Sequence, residues 1–167
     1  MTNERCPECG FEYELDQAIA ADVAIVATVA EAVALLTTLR DEDASARPDP
    51  QTWSPLEYAC HLRDVFIVQR ERVLLARRVE RPDLVPMGRD ERAVHDGYAE
   101  QDPEIVARQL TDAALLFANV LARLDADAWE RTVVYNYPEP TVRSLRWVAV
   151  HTEHEARHHL ADIRRQL

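Results

Sequence analysis

Four stretches of the chain carry apolar residues at intervals of three and four, and that period commits most of the sequence to amphipathic helices. The first runs from Leu15 to about Arg40 through Ile19, Val23, Val26, Ala30, Val33 and Leu36. A second, from Ser54 to about Val79, opens on Ser54-Pro55-Leu56-Glu57, where the serine caps, the proline fits the first turn and the glutamate completes a capping box. Asp102-Pro103-Glu104 repeats that kind of start ahead of Ile105, Leu110, Ala114, Phe117, Val120, Leu121 and Leu124. The last stretch is capped by Thr141 or Ser144 and continues through Leu145, Val148, Thr152, Ala156, Leu160 and Ile163 to Leu167.

Only three glycines in 167 residues leave few places for tight hairpins, so the fold class is all-α. Four such helices predict a four-helix bundle, whose ligand sites lie between facing helices. The organisation expected is a polar arm at 1–14 followed by one bundle domain at 15–167. The segments 81–101 and 125–140 lack a period and read as irregular connections, the first long enough to cover a site.

Thirty acidic against nineteen basic residues give a formal charge of −11, which opposes approach to a phosphate backbone or an anionic bilayer. The partner expected is a small-molecule substrate, with no nucleic acid and no membrane. All nineteen basic residues are arginine, which removes Schiff-base chemistry on lysine. No basic segment precedes an apolar stretch at the N-terminus, and no apolar run is expected to approach the ~18 residues that span a bilayer. The expectation is a cytoplasmic protein. Three cysteines cannot all pair within one chain, so reduced thiols or metal ligands are the better reading.

Four of the six histidines crowd into residues 151–159. At about 100° per residue, His159 falls inside the apolar stripe of the last helix and Glu155 at its edge, one turn apart. His154 and His158 fall roughly opposite that stripe, while His151 and Asp162 lie between the two faces. In the second helix Tyr58, His61, Val65, Val68 and Leu75 share one face, on which His61 is the sole histidine. A carboxylate on a core-facing stripe is costly to bury unless something compensates it. A cation held by His61, Glu155 and His159 would do so, and three protein ligands leave one position open, as in catalytic rather than closed structural sites. A hydrogen-bonded core histidine and a Glu155–arginine pair account for the same residues without a metal.

Thr52-Trp53-Ser54-Pro55-Leu56-Glu57-Tyr58-Ala59-Cys60-His61-Leu62 and His154-Glu155-Ala156-Arg157-His158-His159-Leu160-Ala161-Asp162-Ile163 together resemble the DinB-like (YfiT-like) superfamily. The resemblance extends from about Leu15 onward. It implies a metal-binding four-helix bundle and carries the family's ligand positions onto His61, Glu155 and His159. The glutamate is similar to the mycothiol-dependent maleylpyruvate isomerase branch.

Family activities imply a divalent-metal-dependent enzyme, an S-transferase or isomerase using a low-molecular-weight thiol such as mycothiol as co-substrate. Zinc is the first expectation for the metal, with nickel, iron or manganese also suited to the donors. Asp162 and His151 are candidates to orient a ligand imidazole from behind or to act as a base. Tyr98, His95 and the loop from Arg81 to Gln101 are candidates for the pocket entrance, and arginines such as Arg92 are able to hold a carboxylated substrate. A metal-dependent hydrolase and a non-enzymatic, stress-associated metal-binding protein are the alternatives.

The arm departs from the family pattern. Cys6-Pro7-Glu8-Cys9-Gly10 resembles a zinc knuckle, and its two thiolates supply half of a tetrahedral site. His154 and His158 are available to complete a second, structural zinc site with Cys6 and Cys9; a redox dithiol is the competing reading. Trp147 and Val150, on the same outer side of the last helix, suit a surface covered by the arm or by a second copy in a homodimer. Cys60 reads as an ordinary core residue.

Overall fold

The computed structural model describes residues 5–167, so residues 1–4 of the expected arm lie outside it. A 3-10 turn at Leu15–Ala20 leads into α1 (Ala21–Thr38), the short α2 (Asp41–Ser45) and α3 (Pro55–Arg78). Then come β1 (Asp83–Leu84), the short α4 (Arg89–His95), a 3-10 turn at Tyr98–Glu100 and α5 (Pro103–Leu121). The one-turn α6 (Ala126–Trp129), β2 (Thr132–Asn136), β3 (Pro140–Ser144) and α7 (Leu145–Arg164) complete the chain.

The helix starts follow their capping chemistry. Ser54 accepts from the Glu57 backbone and Glu57 bonds back to the Ser54 backbone at 2.9 Å, a complete capping box with Pro55 in the first turn. Asp102 caps α5, and Ser144 rather than Thr141 caps α7. The first helical stretch begins as a 3-10 turn and stops at Thr38, and the third stops at Leu121 rather than Leu124.

α1 packs on α5 and α7, and α3 packs on the same two helices, so α1 and α3 stand diagonally across the bundle. Phe66 of α3 and Phe117 of α5 stack in the core with ring centroids 6.2 Å apart, among the buried Ile25, Leu36, Leu62 and Leu110. This order places α3 beside α7 and brings His61 to the helix that carries Glu155 and His159.

The two connections are not irregular throughout, which corrects the expectation for 81–101 and 125–140. β2 and β3 form an antiparallel hairpin, and β1 pairs in parallel with β2, Asp83 opposite Val134. The fold is a helical bundle with this three-stranded sheet at one end.

The expectation about apolar runs is also corrected. Leu15–Thr38 contains an 18-residue window with a mean hydropathy of 2.1 and is, by length and composition, long and apolar enough to cross a membrane. Asp16, Asp22 and Glu31 interrupt every consecutive run, but the alanine- and valine-rich sequence keeps the average high. Core helices meet the same criterion, and α1 lies against α5 and α7.

Candidate metal centre

His61 projects from α3 into the seam with α7 and is 2% exposed. From α7, Glu155 and His159 project into the same seam, stacked by their four-residue spacing. Nε2 of His61 and Nε2 of His159 lie 3.8 and 3.7 Å from one oxygen of Glu155, and the two rings stand at 83°. One donor atom from each residue lies within 4.8 Å of the others. These separations are too long for hydrogen bonds, whereas ligands held ~2.0–2.2 Å from a tetrahedral zinc are about 3.3–3.6 Å apart. Nδ1 of His61 is buried with no partner among the described residues, so hydrogen bonding does not explain this core histidine.

Burial works against the charge on Glu155, but His154, His159 and His61 outweigh it and hold the carboxyl well below its ordinary range. Burial likewise opposes charge on His159, yet Asp162 and Glu155 prevail and raise its pKa to about 9. Burial keeps His61 neutral, its pKa lowered. Among the three donors His159 is thus the protonated imidazole, held between the Asp162 and Glu155 carboxylates, while His154, its pKa also raised, lies 3.6 Å from Glu155. The donors fit a divalent ion with an open position.

Asp162 accepts from Nδ1 of His159 at 2.8 Å through one oxygen and from Arg165 through the other. That contact turns Nε2 of His159 toward Glu155 and makes Asp162 a positioning residue rather than a free base. His151 stacks on Trp147 at 4.5 Å, lies 2.9 Å from the Tyr13 hydroxyl through Nδ1, and brings Nε2 to 4.0 Å from Glu155. Burial lowers its pKa to about 4, so it is neutral at neutral pH.

The trio lies at the base of a cavity of about 540 Å³. Gln69 and Arg72 of α3 form one wall, and Tyr135 and Asn136 of β2 another. Met87 and Arg89 close a third side, and Cys6 and Glu8 of the arm a fourth. Arg72 lies over the Tyr135 ring at 5.0 Å and donates to the Val85 carbonyl at 2.6 Å, which fixes it at the rim.

The profile of the DinB superfamily matches residues 24–163. The chain belongs to the DinB superfamily. YfiT from Bacillus subtilis, described as "a probable metal-dependent hydrolase with an unusual four-helix bundle topology", superimposes with a TM-score of 0.80 at 16% identity, over 90% of this chain and 86% of that one. The mycothiol-dependent maleylpyruvate isomerase superimposes with a TM-score of 0.71 at 12% identity, over 90% of this chain and 60% of that one. This chain thus spans 60% of the isomerase's length. No curated protein matches by sequence. At these identities the two structures establish the DinB fold.

Within this DinB bundle the loop expected at the entrance lines the cavity through Pro86, Met87, Gly88, Arg89 and Asp90, but Tyr98, Arg92 and His95 sit elsewhere. Tyr98 is fully buried and donates to Asp64 at 2.7 Å, a carboxylate that also accepts from Arg63 and lies 3.5 Å from Arg92. Arg92 is thereby tied to the core and to the Met87 carbonyl, and His95 is exposed on α4. An apolar ring with a polar tip reads alike at a rim or over a buried carboxylate, and the sequence did not reveal Asp64 beneath it.

Arg72 and Tyr135 also line the cavity and were not singled out by sequence reasoning. Arg72 lies eleven residues, three turns, beyond His61, so its helical phase would have found it. Cys60 is buried and its thiol is pushed up to about 12, an inert core residue.

The structure also brings Cys6, Cys9, His154 and His158 together, each offering a donor within 4.8 Å of the rest. Burial opposes the Cys6 thiolate, but backbone N–H groups of Cys9 and Glu8, together with His154, bring its pKa down to about 6. Trp147 and Val150 are buried, with Tyr13 of the arm stacked on Trp147.

Proposed function

We propose that this chain is a divalent-metal-dependent enzyme that uses a low-molecular-weight thiol of the mycothiol type to transfer to, or isomerise, a small electrophilic substrate. The observation that carries the reading is the trio of His61, Glu155 and His159 lining one cavity, with one donor atom from each within 4.8 Å of the others. Zinc suits two imidazoles and a carboxylate; nickel, iron and manganese accept the same donors. When bound, the ion supplies Lewis acidity at its open position, lowering the pKa of a thiol or water presented there.

The chain's own residues supply the rest. Asp162 fixes the ring of His159. His151, neutral and with Nε2 4.0 Å from Glu155, is placed for proton exchange beside the site. Arg72 and Arg89, which line the cavity, supply positive charge that attracts a carboxylated substrate. Gln69, Tyr135 and Asn136 give the walls polar groups that orient a small polar ligand.

Hydrolysis through the same open position is the second reading, favoured by the likeness to YfiT and its description as a metal-dependent hydrolase. Single-turnover assays of the metal-loaded protein with an activated electrophile, with and without a small thiol, separate the two. Consumption of electrophile that requires both metal and thiol, and that falls at least ~10²-fold in His159→Ala, is the expected result. Metal-dependent ester or amide cleavage that ignores the thiol establishes the hydrolase. Turnover unchanged by His159→Ala rejects both.

A further inference from the structure

The arm meets α7 at a second cluster of metal-binding groups. Residues 6–11 form a tight knuckle in which Gly10 donates to the Cys6 carbonyl at 2.9 Å and Cys6 donates to the Phe11 carbonyl at 2.9 Å. Gly10 has φ +74°, a backbone that a side-chain-bearing residue adopts only with strain. The turn presents the thiols of Cys6 and Cys9 to His154 and His158, which are one turn apart on α7. All four donors lie within 4.8 Å of one another.

The two imidazoles are prepared for a ligand. His154 is held through Nδ1 by the Tyr13 hydroxyl at 2.9 Å, leaving Nε2 buried without a partner among the described residues. His158 faces Glu8 through Nε2 at 3.3 Å and Asp162 at 3.7 Å, leaving Nδ1 3.7 Å from the Cys6 sulfur. In tetrahedral zinc coordination a sulfur and an imidazole nitrogen are about 3.6 Å apart, given bonds of ~2.3 and ~2.1 Å. One nitrogen of each ring thus carries an outer contact while the other faces the thiols, the arrangement that orients histidine ligands. All three cysteines are free. A Cys6–Cys9 disulfide would leave the unpartnered His154 nitrogen unexplained.

We propose that Cys6, Cys9, His154 and His158 form a structural zinc site that fastens the arm across α7. Four protein ligands close the coordination shell, so this zinc does no chemistry, unlike an ion in the three-ligand centre. Its work is architectural: it holds Cys6 and Glu8 as one wall of the cavity and seats Tyr13 on His151 and His154. The inference stands independently of the reaction assigned to the inner centre.

The test is metal content per chain, by elemental mass spectrometry on untagged protein, joined to thiol titration. Wild type is expected to carry one zinc in this site beside the inner ion. Cys6→Ser and Cys9→Ser should each lose one equivalent of zinc and keep the inner one, with helical circular dichroism unchanged. His159→Ala should lose the inner ion and keep this zinc, so failure of one site is distinguishable from failure of the other. In folded wild type, an organomercurial should release one zinc for two reacted thiols, with the buried Cys60 silent; this readout needs no variant to fold. Cys6 and Cys9 that react without zinc release, or that isolate as a disulfide with no second equivalent, would overturn the site in favour of a redox dithiol.

Discussion

Asp162 and Glu155 bracket His159 on successive turns of α7, one fixing the ring at Nδ1 and the other facing Nε2. Replacing Asp162 by Asn keeps the shape but removes the charge that orients the ring. The expected outcome is inner-metal affinity weakened roughly 10- to 100-fold with helical content retained, measured by competition with a chromogenic chelator. The pH dependence has a definite sign. In the metal-free protein His159 is protonated up to about pH 9, so an entering cation must expel that proton. Apparent affinity should therefore rise about tenfold per pH unit between roughly pH 6.5 and 8.5, and one proton should be released per ion in buffered calorimetry. The metal-free protein behaves oppositely. His159 has a raised pKa, so its stabilising contribution is full below the unfolded value near 6.5 and is lost as pH climbs through about 9. The melting temperature gained on loading metal should accordingly grow with pH across that window.

The helices begin where side chains satisfy the first free N–H groups, and Ser54 is the most consequential of these starts because it is fully buried. Glu57, also buried, is braced from outside by Arg47 at 2.8 Å. Ser54→Ala should lower stability by about 1 kcal/mol, read as a shift of the denaturant midpoint with an unchanged slope. Such starts were legible in the sequence because caps, proline positions and apolar spacing are local signals. The sheet was not. β1 is two residues long and its partner Val134 lies some fifty residues away, so no window of sequence contains the pairing. The alternation in Thr-Val-Val-Tyr-Asn, with Val133 and Tyr135 buried, was its one local trace.

At the scale of the molecule, the diagonal placement of α1 and α3 makes α3 the neighbour of α7 and lets two distant segments share one pocket. Helical phase alone grouped His61, Glu155 and His159, since each sits on the inward face of its own helix. It also put His154 and His158 on the side of α7 that the arm covers. Of the cavity walls only the 81–101 connection was legible, as a segment long enough to cover a site, whereas Tyr135 and Cys6 reach the cavity from β2 and the arm, whose paths depend on tertiary pairing. Tyr98 shows the converse error, a residue assigned to an entrance that instead closes over Asp64.

The central claim is that one divalent ion sits among His61, Glu155 and His159. A crystal of the untagged, metal-replete protein, with diffraction recorded on either side of the metal's absorption edge, tests it most directly. The account predicts an anomalous peak about 2.0–2.2 Å from both Nε2 atoms and a Glu155 oxygen. A map featureless at that point, with His61 and His159 hydrogen-bonded to ordered water instead, would contradict it.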